Sequence, residues 1–180
     1  MSKRRLRYSV AMSLDGYIAD KDGGYDWITM DPAVDFAAFT GKIDTLIMGR
    51  HTYELIAGQE SGMGFEEMET IVVSTTLAQA EHPAVTIVAR GVETFVTDLK
   101  AQAGKDIWLF GGGVLFRSLL EVGLVDRVEV GVIPVLLGQG IALLPGLEGT
   151  AKLRLHSMEE WPTSGIVLLK YDVDNASQAS

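Results

Sequence analysis

Apolar positions along the chain fall into short β-branched runs separated by amphipathic stretches and glycine-marked turns, a rhythm that predicts alternating strands and helices. Residues 7–12 read as a first strand, and 14–19 as a loop or short extended piece before a turn at Asp22, Gly23 and Gly24. Asp31 and Pro32 have the form of a helix start, an N-cap followed by proline; Val34, Phe36 and Phe39 continue that helix and Gly41 ends it. Residues 45–48 form an apolar strand that opens into a helix over 52–57, and 61–64 read as a surface loop. Further strands are expected over 70–73 and 85–89, then a helix over 92–103 with Gly104 as its stop. A strand over 106–110 feeds the turn Gly111, Gly112, Gly113, and a short helix over 115–121 closes at Gly123.

From there the pattern changes. Strands over 128–132, 153–158 and 166–173 follow one another with no helix long enough to cross over, so they are expected as antiparallel additions. The alternating middle portion implies parallel strands with helices on both faces, giving an α/β fold around a mixed central sheet. One domain over 1–174 is expected, with 175–180 as a disordered tail.

Composition narrows the chemistry. A chain of 180 residues, 47% hydrophobic, is long enough for one full core. No run approaches the roughly 18 apolar residues of a membrane span, and the basic lead-in Lys3, Arg4, Arg5 precedes too short an apolar stretch for a signal peptide. A cytoplasmic protein with no membrane partner is expected. With Cys 0 there is no disulfide, thiolate nucleophile or thiolate metal site, and His51, His82 and His156 are too scattered for a metal centre. The net charge of -9 argues against a nucleic-acid partner. A small anionic ligand remains compatible with it, because a few cations converging in one cleft set the local potential, and Arg50 and Arg90 are the candidates.

Two strand-to-helix turns carry the chemical signal. Gly49, Arg50, His51 and Thr52 place a glycine and a cation where a buried strand opens into a helix, whose first amides have no internal partner. Gly111, Gly112 and Gly113 repeat the arrangement. Ligands in open α/β sheets bind beyond the carboxyl ends of the strands, where Ser74, Thr75 and Arg90 should join them. Two cations, three hydroxyls and two helix starts suit a pyrophosphate plus one further phosphate, which favours NADP over NAD. The triple glycine alone also fits a tight turn with no ligand, because Phe116 stands where a Rossmann fingerprint has its third glycine.

The run Met48, Gly49, Arg50, His51, Thr52, Tyr53, Glu54 resembles the dihydrofolate reductase superfamily, and the likeness covers nearly the whole chain. It implies the three-layer fold of that superfamily and NADPH as cofactor. Arg50, His51 and Thr52 would contact its phosphates; Ser74, Thr75 and Arg90 would face the adenosine phosphate. The triple glycine with Val114, Leu115 and Phe116 would pack on the pyrophosphate, and Ala11 and Ile18 would contact the nicotinamide amide. Within the superfamily, Met12 to Ala19 and Val132 to Gly140 resemble the stand-alone relatives of the reductase domain of bacterial riboflavin biosynthesis. Those enzymes reduce the ribose of a phosphoribosylamino pyrimidine, need several cations for its phosphate, and commonly pair as homodimers through their C-terminal strands.

Hydride transfer to a C=N or C=O bond calls for a proton, so two aspartates compete as the catalytic carboxyl. Asp15 resembles the aspartate of the riboflavin reductases; Asp35 with Phe39 one turn later resembles the carboxylate and phenylalanine that hold the pterin in folate reductases. Trp27 either lines the substrate pocket or packs a lid, and Trp108 reads as core. Three readings follow: a riboflavin-type NADPH reductase, a divergent dihydrofolate reductase, and a nucleotide-binding protein without catalysis.

Overall fold

The computed structural model describes residues 3–57, 65 and 67–175, so the loop expected over 61–64 and the tail over 176–180 lie outside the described residues. The β-branched runs form strands β1 (Leu6–Ser13), β2 (Tyr17–Ala19), β3 (Ile43–Gly49), β4 (Glu69–Val73), β5 (Thr86–Val88), β6 (Asp106–Gly111), β7 (Arg127–Ile133), β8 (Ile141–Ala142), β9 (Leu153–Trp161) and β10 (Ile166–Val173). Between them lie helices α1 (Phe36–Thr40), α2 (Arg50–Ala57), α3 (Val92–Ala101) and α4 (Gly113–Glu121). Eight strands make one sheet in the order β5-β4-β3-β6-β1-β7-β10-β9, while β2 and β8 pair separately. Among the described residues, no helix is long and apolar enough to cross a membrane.

From β5 to β7 every neighbouring pair is parallel, and β10 alone runs against β7 and β9. This corrects the expectation for residues 128–132. β7 pairs parallel to β1 over seven registered positions, because α4 crosses over from β6 and returns the chain to the same end of the sheet. The antiparallel additions therefore begin one strand later.

Alternation along β1 divides the sheet into two faces. Leu6 and Tyr8 join Ile107, Leu109, Val128 and Val130 on the face covered by α3 and α4, whose Val96, Leu99, Phe116 and Leu119 complete the larger core. Tyr8 and Phe116 stack with ring centroids 3.8 Å apart. On the other face Phe39, Tyr53 and Ile56 of α1 and α2 pack with Leu46, Met48, Val72 and Trp108. Trp108 is core, as expected, and its indole donates to the Ser9 carbonyl at 2.8 Å.

The helix expected from Asp31 begins later. Asp31 caps only a turn, accepting from the Ala33 amide at 2.9 Å, and the true N-cap is Asp35, whose Oδ1 accepts from Ala38 at 2.8 Å. A five-residue helix is marginal by itself, so tertiary contact holds it. Phe39 meets the edge of Trp108 at 4.8 Å, and the Arg7 guanidinium lies 5.0 Å from the Phe39 ring centre. Helix α4 starts two residues before its expected position, at Gly113. Asn175, assigned in sequence to the tail, is anchored by its side-chain amide to the Val125 carbonyl at 3.2 Å.

Arg7 is also half of a buried ion pair. Both Glu129 oxygens accept from its Nη2 at 2.8 Å, and Ser9 Oγ donates to Glu129 at 2.6 Å. Their side chains are 6% and 2% exposed, so neither charge can fall back on water if its partner is removed. Replacing Glu129 with Ala should destabilise the fold by about 3–5 kcal/mol in urea titration. The double replacement Arg7→Met with Glu129→Leu should recover most of that loss, and an unchanged midpoint for Glu129→Ala would refute the pair's structural role.

Candidate active site

Parallel register brings the carboxyl ends of the central strands to one edge. Gly49 lies beside Val73, Val73 beside Val88, and Met48 beside Gly111, so the residues that follow these strands converge as the sequence predicts. Two helices begin at that edge, α2 at Arg50 and α4 at Gly113. The first intrahelical bond of α4 runs from the Phe116 amide to the Gly112 carbonyl at 3.0 Å. The amides of Gly113, Val114 and Leu115 therefore have no partner within the helix, and α2 has the same three positions at Arg50, His51 and Thr52. Their dipoles raise the positive potential of the edge.

The glycines there have distinct reasons. A Cβ on Gly49 would meet nothing within 4 Å, and one on Gly112 would reach only Thr52 Oγ1 at 3.7 Å, so both backbones are open to an approaching group. A Cβ on Gly111 would come within 3.1 Å of Thr52 Oγ1, which ties α2 to the turn. The Gly111-Gly112 peptide is cis. Gly113 is different: its Cβ would lie 2.7 Å from Pro145 Cδ and 2.9 Å from the Ala142 and Leu143 carbonyls, so the chain itself requires glycine there. The remaining opening has backbone amides on two sides and the Thr52 hydroxyl between them.

Side chains around the edge are partly engaged. Arg50 Nη1 donates to both oxygens of Glu54, at 2.9 and 3.1 Å, and Nη2 lies 3.3 Å from His51 Nε2. An exposed pair at this spacing is worth roughly 0.3–0.5 kcal/mol, too little to keep Arg50 from a phosphate. Ser74 N donates to the Val88 carbonyl at 3.1 Å, which sets Ser74 beside the loop carrying exposed Arg90. Ser74 Oγ accepts from the amides of Thr76 and Leu77, at 3.2 and 3.0 Å, and Thr75 stands exposed next to it. Half-buried Ala11 and Ile18 lie on β1 and β2. Phe116 is a correction: its ring is 2% exposed against Tyr8 and its amide is spent on Gly112, so it belongs to the core.

Asp15 is engaged by the protein's own donors. Its carboxylate accepts from Ser13 Oγ at 2.6 Å, from the Leu137 amide at 3.1 Å and from the Gly138 amide at 2.7 Å. These bonds, the Ser13 hydroxyl first, hold the Asp15 carboxyl below the usual carboxylate range. It works as a clasp between the β1–β2 turn and the segment after β7. Leu14 N donates to the Val135 carbonyl at 2.9 Å, Leu143 N to the Gly16 carbonyl at 3.0 Å, and a Cβ on Gly140 would fall 2.3 Å from the Ala19 carbonyl. The two stretches that carry the riboflavin-type resemblance are thus partners of each other.

The other acceptor-side residues are placed by their own loops. Trp27 is half-buried and its indole donates to the Gly24 carbonyl at 3.3 Å, which fits lid packing. Asp35 is exposed, and among the described residues only its Oδ1 is engaged, as the α1 cap. Sequence reasoning gave Asp31 no role beyond a helix start. It is 6% exposed, and the Ala33 amide, donating to its Oδ1, holds its carboxyl below the usual range. Its position before proline was the only sequence signal.

Comparison with known proteins agrees with this geometry. The model of the RibD C-terminal domain family matches residues 4–167. The uncharacterized protein YyaP of Bacillus subtilis strain 168 is 32% identical over 182 residues, covering 95% of this chain and 96% of its own. A Shewanella sp. PV-4 structure, provisionally described as a riboflavin biosynthesis protein, superposes with a TM-score of 0.80 at 27% identity, covering 94% of this chain and 99% of that one. Dihydrofolate reductase from Enterococcus faecalis, complexed with NADP(H), superposes with a TM-score of 0.68 at 20% identity, covering 94% and 96%, and so shares the fold.

The clasp makes a pH-dependent prediction. Because the folded Asp15 carboxyl ionises below its unfolded value of about 3.9, its stabilisation is complete above that value and is lost as the pH falls through the lower folded one. Asp15→Ala should therefore lower the thermal midpoint at pH 7 and speed hydrogen exchange at the Leu137 and Gly138 amides. The difference from wild type should shrink below about pH 4. Unchanged exchange at both amides would refute the clasp.

Proposed function

The chain belongs to the RibD C-terminal domain family, and on that premise we propose that it is an NADPH-dependent reductase of a small heterocyclic acceptor, of the riboflavin-pathway type. The observation that carries this reading is the meeting of two helix starts at Gly49, Gly111 and Gly112. Amides of Arg50, His51 and Thr52 on one side and of Gly113, Val114 and Leu115 on the other take the pyrophosphate. Arg50 turns from Glu54 to join them. Ser74, Thr75 and Arg90 take the further phosphate of the adenosine, which sets NADPH above NADH. The same fold holds NADP(H) in the Enterococcus enzyme.

The backbones of Ala11 and Ile18 border the nicotinamide, which when bound supplies hydride to the acceptor carbon of a C=N or C=O bond. Asp15 holds the segment that walls this end of the cleft and keeps its own proton off. Asp35, with Oδ2 free for the acceptor, is left as the carboxyl that orients it or protonates its nitrogen or oxygen, with Phe39 and Trp27 alongside.

The reading includes a homodimer. On the outer strand β9, Leu153, Leu155 and Met158 are 44%, 56% and 58% exposed, and they register with Val173, Tyr171 and Leu169 on one face. An apolar stripe of this kind along an edge strand invites pairing with a second copy. Light scattering after gel filtration should give the dimer mass, and Leu155→Asp with Met158→Asp should give the monomer; a monomeric wild type overturns this part.

Cofactor binding tests the rest. By fluorescence titration, wild type should bind NADPH more tightly than NADH. Arg90→Ala should cost NADPH alone about tenfold to a hundredfold, the roughly 1.5–3 kcal/mol of a hydrogen bond to a charged group. Arg50→Ala should weaken both cofactors. Equal affinity of wild type for the two, or no effect of Arg50→Ala, would overturn the phosphate assignment.

A further inference from the structure

We propose that the acceptor reduced by this protein carries no phosphate and is a neutral or cationic heterocycle. The inference rests on the reductase reading above and deepens it by naming the charge class of the substrate. It comes from where the cations stand. The chain has 15 lysines and arginines, and none falls among the residues outside the described ones.

Most are at the wrong end of the sheet. Arg4, Arg5, Lys42, Lys105 and Arg127 sit at the amino ends of β1, β3, β6 and β7, with Lys3 just before them. Lys152 and Arg154 flank the start of β9, which β10 ties to that same end through the Val173 amide and the Asp126 carbonyl. Four more are committed elsewhere: Arg7 to Glu129, Lys170 to Glu159, Lys100 to the Leu124 carbonyl and Arg117 to the carbonyls of Pro145 and Gly146. Only Lys21, Arg50 and Arg90 remain near the carboxyl ends. Arg50 and Arg90 serve the cofactor, which leaves Lys21 alone, flanked in the chain by Asp20 and Asp22.

The acceptor side is acidic and apolar instead. Residues 14–41 carry Asp15, Asp20, Asp22, Asp26, Asp31 and Asp35 against Lys21 alone, and neither 134–140 nor 162–165 contains a cation. Asp15, Asp20 and Asp31 are each held ionised by hydrogen bonds from hydroxyls or backbone amides, so they contribute fixed negative charge. Between them Leu14, Met30 and Leu136 are 63%, 62% and 69% exposed. A phosphate ester arrives with close to two negative charges and is held by arginine or lysine. Here it would meet carboxylates and leucines, and a field that repels it during approach.

The test compares one acceptor with and without its phosphate. NADPH oxidation at 340 nm would be followed with 5-amino-6-(ribosylamino)uracil, with its 5′-phosphate, and with a panel of neutral, cationic and anionic imines and pterins. The unphosphorylated member of each pair should show a kcat/KM about tenfold higher or more. Raising the salt from 0.05 to 0.5 M should narrow that ratio, since exposed charges are screened, and so should Asp26→Lys. A phosphorylated acceptor preferred over its unphosphorylated counterpart overturns the inference and leaves the reductase reading intact. Tight NADPH binding with no acceptor consumed overturns both.

Discussion

Every feature of the candidate site depends on the parallel run from β5 to β7. Parallel strands need crossovers, and each crossover helix that returns to the sheet starts near the carboxyl end of the preceding strand. The amino ends of α2 and α4 therefore fall at one edge, and partial positive charge gathers there without a lysine or arginine being spent. Thr52, packed against Gly111, holds the two helix starts together. The cleft is a consequence of topology before it is a consequence of any side chain.

The wall opposite that edge is built by a different device. The β1–β2 turn and the segment after β7 are more than a hundred positions apart in the chain. A carboxylate accepting two backbone amides joins them, with Ser13 supporting Asp15 from below and Gly140 allowing the Ala19 carbonyl to approach. The same economy recurs at Asp20, Asp31 and Asp35, each of which organises its own loop by accepting backbone amides. Acidic residues so used shape these loops and charge them at the same time. The arginines and lysines, gathered at the opposite end of the sheet or locked in pairs such as Arg7 with Glu129, balance little of that charge locally.

Much of this was legible in the chain. The strands at 70–73, 106–110 and 166–173 and the convergence of Gly49, Ser74, Arg90 and Gly111 follow from periodicity and from glycine at the strand ends, because these are local signals repeated over several residues. Misreadings came where a local signal had two meanings. Asp31 before Pro32 looks like a helix cap, yet it caps a turn, and Asp35 four residues later caps the helix. Phe116 occupies a glycine position of a nucleotide fingerprint, yet its ring stacks on Tyr8. β7 runs parallel although α4, which crosses over to it, is only nine residues long, so the chain there carries no long helical pattern to signal the crossover.

Sequence by itself determined where the main strands of the large sheet lie, which turns are glycine-bound, where glycines and hydroxyls follow the strand ends and that the chain lacks thiol chemistry, since all of these depend on residue type and spacing over a few positions. Tertiary structure alone decided that β7 runs parallel, that Asp15 clasps the segment after β7, that Gly113 is required by Pro145 while Gly49 stands open, and that most cations gather at the amino ends of the strands. Each of those depends on contacts between residues far apart in the chain, from Gly113 with Pro145 to Asp15 with Gly138, or on which end of a strand a residue occupies. No local pattern encodes such distances; they appear only once the sheet has brought its strands together.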